Sequence, residues 1–130
     1  MKYKFLLIAM VAIAGMFSCT AQNNSFVNVS VEQFNGLKET ASITILDVRT
    51  PEETGQGIVK GAQIINFYEE GFIERASAID KNEPIYVYCH VGGRSSKACK
   101  DLAKAGFTKV YNIDGGIVAW KEAGYELVKE

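Results

Sequence analysis

One cysteine, Cys89, lies in a sequence setting that suits a reactive thiol. It follows the apolar run Ile85–Tyr88, which predicts a buried strand, and precedes residues 96–105, which predict a helix. Between the two elements, Gly92 and Gly93 let successive backbone N–H groups turn toward one point, and the helix start adds unpaired N–H groups. Such a loop binds anions, so we expect it to stabilise a thiolate as well.

This setting predicts that Cys89 is a catalytic nucleophile. An ordinary cysteine, with a pKa of ~8.5, is only about 3% ionised at neutral pH, and a helix N-terminus lowers that pKa. The alternative is a cysteine that merely packs in the core, which a position between a strand end and a glycine turn disfavours. The residues predicted to bind the substrate are those that follow in the loop: His90, Val91, Gly92, Gly93, Arg94 and Ser95.

Two side chains of the loop and one of the helix have competing interpretations. Arg94 could bind an anionic substrate or brace the loop by bonding its carbonyl groups, and both alternatives stay open. His90 is adjacent to the nucleophile and could form a Cys–His pair with it. Neighbouring side chains on a curled loop splay apart, however, so we expect His90 at the rim. Cys99 lies at least one turn down the helix, so we expect it to pack in the core rather than form a disulfide with Cys89.

Charged side chains near the end of an earlier strand are expected to be structural. Asp47 could accept N–H groups of the loop or pair with Arg49, and Arg49 could also pair with Glu53 at i, i+4 spacing. Lys97 is predicted to be solvated, and Trp120 to pack in the core. No set of metal ligands remains among the cysteines, and no cofactor is expected.

The rest of the chain alternates short apolar strands with helices, which is typical of an α/β layered fold. The strands are predicted at residues 26–29, 43–48, 62–66, 85–88 and 110–113. Ser30 and Gln33 form a capping-box pattern before a helix whose inner face is Val31, Phe34 and Leu37. Ligands of parallel α/β sheets bind at the carboxyl ends of strands, which is where Cys89 lies.

The first 18 residues predict an export signal that is not part of the fold. Lys2 and Lys4 precede an uncharged run at residues 5–17, which is too short to span a bilayer. Ser18-Cys19 resembles a bacterial lipobox, which implies cleavage before Cys19 and lipidation of that residue. The alternative is an ordinary Cys19 near a conventional cleavage site.

The mature chain is expected to be one domain in the bacterial cell envelope. Residues 19–26 predict a polar tether and residues 27–130 the domain. From Cys19 onward the chain has 12 basic and 15 acidic side chains, so no nucleic-acid partner is expected. We expect a periplasm-facing monomer that contacts the membrane only through its lipid, and Thr20 after the anchor cysteine favours the outer membrane.

Three motifs in order resemble the rhodanese-like family of sulfurtransferases. Residues 89–95 are similar to the family's active-site loop, Cys-x-x-Gly-x-Arg-Ser. Residues 46–53 are similar to its Leu-Asp-Val-Arg-x-Pro-Glu-Glu signature, and residues 110–120 to its C-terminal signature with Gly-Gly and Ala-Trp. Residues 57–62 resemble its Gly-His-Ile-Pro-Gly-Ala segment but carry Ile58 and Lys60 in place of histidine and proline, which leaves the shape of this loop open.

The resemblance implies a five-stranded parallel sheet with helices on both faces. It also implies that Cys89 takes up a sulfane sulfur as a persulfide and passes it to a thiol or cyanide acceptor. The expected partners are a small-molecule sulfur donor and a thiol acceptor, with a protein acceptor as a further option. Related cysteine-dependent phosphatases use Cys-x5-Arg, whereas Cys89 and Arg94 form Cys-x4-Arg, a shorter loop that suits one sulfur atom.

Two other functions stay open on the sequence. One is an envelope sulfur carrier or redox-responsive binding module with little turnover of its own. The other is a cysteine-dependent phosphatase or arsenate reductase that uses the same thiolate.

Overall fold

A five-stranded parallel sheet forms the centre of the computed structural model, which describes residues 25–129. Its strands are β1 (Val27–Val29), β2 (Thr44–Asp47), β3 (Gln63–Ile64), β4 (Ile85–Tyr88) and β5 (Val110–Ile113). They lie in the order β1-β5-β4-β2-β3, and every pair is parallel. The predicted sheet is confirmed. The predicted signal segment and Cys19 lie outside the described residues.

Helices cover both faces of the sheet, as predicted. They are α1 (Val31–Leu37), α2 (Pro51–Thr54), α3 (Phe72–Ala76), α4 (Gly93–Lys104) and α5 (Gly116–Glu122). Residues of α3 and α4, such as Leu102, pack on one face, and residues of α1 and α5, such as Phe34 and Trp120, pack on the other. None of the helices within residues 25–129 has the length and apolar character needed to cross a membrane.

The central strand β4 brings Cys89 to the carboxyl edge of the sheet. All four of its residues are buried, since β2 and β5 flank it and helices cover it. Side chains alternate along a strand, so Ile85 and Val87 face the α3–α4 side while Tyr86 and Tyr88 face the α1–α5 side. Cys89 continues this alternation into the α3–α4 cluster, and its thiol therefore lies beneath the start of α4.

Helix ends differ from the predictions where a local turn competes with the apolar pattern. The capping box of Ser30 and Gln33 is present, but Leu37 is 40% exposed because α1 ends at that residue. The sequence pattern predicts a helix over residues 72–79, and the structure has α3 end at Ala76. Helix α4 begins at Gly93 rather than at Ser96, because Gly92 alone makes the turn out of the strand.

A buried ion pair fixes the chain after β2. Arg49 donates from Nε to Asp47 Oδ1 at 3.0 Å and from Nη2 to Oδ2 at 2.8 Å, and both side chains are buried. Burial acts to lower the pKa of Arg49, but its hydrogen bonds and charge contact with Asp47 outweigh this and raise it. The guanidinium also donates to the Gly57 carbonyl at 2.7 Å. Of the two roles considered for Asp47, the structure shows the pair with Arg49, and this pair ties the 57–62 loop to the sheet.

Ile58 and Lys60, which replace the histidine and proline of the rhodanese-like pattern, both fit the fold of the 57–62 loop. Ile58 is buried, and its backbone exchanges hydrogen bonds of 2.8 Å with Val128 in an antiparallel bridge. Lys60 is exposed to solvent. An apolar side chain at residue 58 thus joins the core beneath the C-terminal segment, where a histidine would have introduced a polar ring.

Candidate active site

The sulfur of Cys89 lies inside the turn between β4 and α4. The Gly92 N–H donates to Sγ at 3.1 Å, and the Ser95 hydroxyl lies 3.4 Å from the same atom. Cys89 is 1% exposed and Ser95 is fully buried. A sulfur surrounded by hydrogen-bond donors and shielded from water is an environment that can stabilise a thiolate.

The pKa of Cys89 is lowered because donors outweigh burial. Burial by itself would raise the pKa of this thiol, since it disfavours the charged form. Hydrogen bonds from the Ser95 hydroxyl and from the backbone of Ser95, Gly92 and Arg94 favour the thiolate and give a net decrease. Cys99 is buried nearby in α4, and there burial, together with the charge of Cys89, raises the pKa. The two thiols are both buried and differ in the donors around them.

Glycine is required at one position of the turn rather than two. Gly92 has φ +118° and precedes the first residue of α4, a conformation that residues with a side chain rarely adopt. Gly93 has an ordinary helical conformation, and a Cβ built on it would meet nothing within 4 Å. The expectation that both glycines shape the loop is therefore correct only for Gly92.

The Gly92 carbonyl is held by three donors from the first turn of α4. It accepts the Ser96 N–H at 3.0 Å, the Ser96 hydroxyl at 2.8 Å and the Ser95 hydroxyl at 3.1 Å. Ser95 has a single hydroxyl proton and two acceptors within reach, and an ionised Sγ is the stronger acceptor. Ionisation of Cys89 can therefore draw the Ser95 proton toward the sulfur while Ser96 keeps the carbonyl in place.

A buried asparagine extends this support to the sheet. Asn112, on β5, donates from Nδ2 to the Ser96 hydroxyl at 3.2 Å and to Asn28 Oδ1 at 2.9 Å. The sequence prediction missed Asn112 and Ser96. The signal was present, since Asn112 is an amide within an otherwise apolar strand, and a buried amide needs hydrogen-bond partners.

Helix α5 holds the other side of the loop. Its Ile117 N–H donates to the Cys89 carbonyl at 3.0 Å, and its Val118 N–H donates to the His90 carbonyl at 3.1 Å. A Cβ on Gly116 would lie 2.5 Å from the His90 oxygen and 2.6 Å from the Cys89 oxygen, so this approach requires glycine. Because the C=O and N–H of a peptide point in opposite directions, the amides that follow these carbonyls point away from α5.

Arg94 binds Glu53 rather than the carbonyl groups of the loop, and its binding of an anionic substrate stays a prediction. Its Nη2 donates to both carboxylate oxygens of Glu53 at 3.0 and 2.9 Å, and its guanidinium lies 5.4 Å from the centre of the Tyr68 ring. Burial acts to lower the pKa of Arg94, and the hydrogen bonds and charge of Glu53 outweigh it and raise the pKa. The suggestion that the Arg49 and Glu53 side chains pair is wrong, because the Glu53 carboxylate binds Arg94 instead.

The remaining loop residues lie at the rim. His90 and Val91 are exposed, and Lys97 is solvated in the first turn of α4. His90 lines a cavity of about 240 Å³ beside the loop, together with Glu53 and Lys121. Within residues 25–129, no three histidine, cysteine or acidic side chains lie close enough to hold a metal ion. The structure thus brings Cys89, Gly92 and Ser95 together and leaves the side chains of His90 and Val91 facing outward.

Replacing Ser95 by alanine should make Cys89 a weaker acid. A hydrogen bond to a charged group contributes about 1.5–3 kcal/mol, so its loss should move the pH midpoint of Cys89 alkylation upward by about one to two pH units. Iodoacetamide labelling at a series of pH values, followed by mass spectrometry of the Cys89 peptide, measures this midpoint. Ser42→Ala, at an exposed position, is the control and should not move it. An unchanged midpoint in Ser95→Ala contradicts the proposed contact.

Comparison with known proteins agrees with this geometry. The rhodanese-like domain family matches residues 30–123. A sulfurtransferase of Allochromatium vinosum is 35% identical over 92 residues, which cover 71% of this chain and 84% of that protein. The thiosulfate sulfurtransferase GlpE of Shewanella oneidensis is 34% identical over 100 residues, which cover 77% of this chain and 97% of that protein.

A solved structure shows the same architecture. The crystal structure of a rhodanese-related protein from Thermoplasma volcanium superposes with a TM-score of 0.73 at 27% identity, covering 81% of this chain and all of that one. The match to the family model and the sequence relatives agree with this shared fold. The chain therefore belongs to the rhodanese-like domain family of sulfurtransferases.

Proposed function

We propose that this protein moves a sulfane sulfur from a donor, for example thiosulfate, onto Cys89 and then to a thiol or cyanide acceptor. The observation that carries the proposal is the pair of donors on one sulfur atom, the Gly92 N–H at 3.1 Å and the Ser95 hydroxyl at 3.4 Å. They favour the ionised thiol, which is the nucleophilic form of cysteine.

The first step is an attack of the Cys89 thiolate on the outer sulfur of the donor. A new S–S bond forms as the donor's own S–S bond breaks, and the electron pair of the broken bond leaves with sulfite when the donor is thiosulfate. The negative charge then lies on the outer sulfur of a persulfide, where the N–H groups of residues 90–95 can bind it. Sulfite is a stable anion, so the step needs no general acid.

The second step regenerates the enzyme. A thiolate or cyanide attacks the outer sulfur of the persulfide, the S–S bond breaks, and Cys89 leaves as a thiolate. That leaving group is stabilised by the same donors that favour the free thiolate. One set of contacts therefore assists both steps, and the burial of Cys89 limits access to the reacting sulfur atom.

Cys89→Ser should abolish sulfur transfer. Wild-type protein incubated with thiosulfate should gain one sulfur atom on the Cys89 peptide by mass spectrometry and should form thiocyanate from added cyanide. Cys99→Ser is the matched control and should keep both properties, because Cys99 is a buried thiol with a raised pKa. Turnover by Cys89→Ser would contradict the proposal, and loading without turnover toward any free acceptor would favour the sulfur-carrier alternative.

The protein should not hydrolyse phosphate esters. A phosphatase of this kind needs a longer loop and an arginine that binds the phosphoryl oxygens, whereas Arg94 is occupied by Glu53 here. Para-nitrophenyl phosphate should therefore give no release of nitrophenolate above that of Cys89→Ser. Hydrolysis that depends on Cys89 would favour the phosphatase alternative.

The proposed location is the periplasmic side of the bacterial envelope, with a lipid on Cys19. The positive residues Lys2 and Lys4, the uncharged run that follows and the lipobox-like Ser18-Cys19 support it. Bacteria expressing the full chain should incorporate labelled palmitate into the wild-type protein but not into Cys19→Ser. Labelled wild-type protein should fractionate with the outer membrane. Wild-type protein without label would contradict lipidation.

A further inference from the structure

We infer that the preferred sulfur donor is a persulfide, R–S–SH, with the thiosulfate dianion a poorer donor, and that Glu53 sets this preference by occupying Arg94. The inference rests on the proposed function of Cys89 and names the donor class for the same site. Glu53 is assigned as a positioning residue, since it acts through Arg94 and not on the donor itself.

Arg94 is the one residue with a permanent positive charge in the loop of residues 89–95. Both oxygens of the Glu53 carboxylate accept from its Nη2, and the two side chains are only 16% and 35% exposed. A partly buried pair of this kind is screened less by solvent than a surface pair. The positive charge of Arg94 is therefore neutralised by Glu53.

This neutralisation affects a dianion more than a monoanion or a neutral donor. Coulomb energy scales with the product of the charges, so thiosulfate, with two negative charges, gains most from a free cation and loses most when that cation is paired. Lys97 and Lys121 are exposed, and a solvated cation attracts a small anion only weakly.

Apolar surfaces at the site favour a donor with an organic part. Val91, in the loop itself, is 60% exposed, and Tyr68, whose ring lies against the Arg94 guanidinium, is 68% exposed. Thiosulfate has no apolar atoms to place against either side chain. The R group of a persulfide can cover such surface and gain free energy from its burial.

The transfer from a persulfide is balanced without any redox partner. The Cys89 thiolate attacks the outer sulfur of R–S–SH, a new S–S bond forms, and the bond within the donor breaks. The electron pair of that bond leaves with R–S⁻, while the proton stays on the transferred sulfur. The products are the Cys89 persulfide and a thiolate.

The test compares two donors on four proteins: wild type, Glu53→Gln, Glu53→Asp and Glu52→Gln. Thiosulfate and cysteine persulfide are the probes, because the ammonium and carboxylate of cysteine cancel and leave this persulfide with at most one negative charge. For each donor, kcat/KM is measured at low and high salt. For the wild type, kcat/KM with the persulfide should exceed that with thiosulfate at least about tenfold. Glu53→Gln should raise the ratio of thiosulfate to persulfide kcat/KM about tenfold, which corresponds to about 1.4 kcal/mol.

The KM, its salt dependence and two further variants distinguish an electrostatic effect of Glu53→Gln from a structural defect. The gain should come from a lower KM for thiosulfate and should shrink at high salt, because a free Arg94 attracts the dianion through a screened charge. Glu53→Asp keeps the carboxylate and should keep the ratio near that of the wild type. Glu52→Gln, at an exposed neighbouring position, should not change it.

Two results would overturn the inference while leaving the proposed function intact. One is a wild type that prefers thiosulfate, and the other is a Glu53→Gln protein whose ratio rises less than twofold. Mass spectrometry of Cys89 after exposure to each donor distinguishes these from a failure of the proposed function. If neither donor loads Cys89, sulfur transfer itself is refuted, and the donor assignment fails with it.

Discussion

Burial of Cys89 disfavours ionisation of its thiol, and the hydrogen-bond donors around the sulfur favour it. A buried thiol ordinarily stays protonated because a low-dielectric interior disfavours charge. Here the Gly92 N–H and the Ser95 hydroxyl, with further backbone donors, reverse that tendency and lower the pKa. For Cys99, burial and the nearby charge of Cys89 raise the pKa.

The rest of the domain supplies those donors at a fixed distance. Strand β4 brings Cys89 to the sheet edge, and the positive φ of Gly92 turns the chain so that α4 starts directly above the sulfur. Ser96 and Asn112 hold the Gly92 side of the loop, while Gly116 lets α5 bind the carbonyls on the other side. These contacts hold the loop from both sides.

Local patterns in the sequence predicted the sheet, the capping box and the position of Cys89. Apolar runs, Ser30 with Gln33, and a glycine turn after a strand are signals that neighbouring residues carry. The contacts that were missed join distant parts of the chain. Glu53 and Arg94 are 41 residues apart, and Asn112 meets Asn28 across 84 residues, so only the fold brings them together.

The ion pair between Glu53 and Arg94 reduces the attraction of the site for anions. Asp47 and Arg49 are buried and serve the fold, whereas Glu53 and Arg94 lie at the loop and neutralise its cation. Hydrogen bonds thus favour the ionised form of Cys89, while the positive charge of Arg94, which would attract an anion, is already paired with Glu53. In the proposed function, ionisation of the sulfur depends on Gly92 and Ser95, whereas the choice of donor depends on Glu53 and Arg94.

Titration of the Cys89 thiolate tests the central claim most directly. The ultraviolet absorbance of thiolates is recorded against pH for the wild type and for Cys89→Ser, and the difference reports Cys89 alone. A midpoint below that of an ordinary cysteine, ~8.5, is the result expected from donors that outweigh burial. A midpoint at or above that value would contradict the account, because burial would then control this thiol as it controls Cys99.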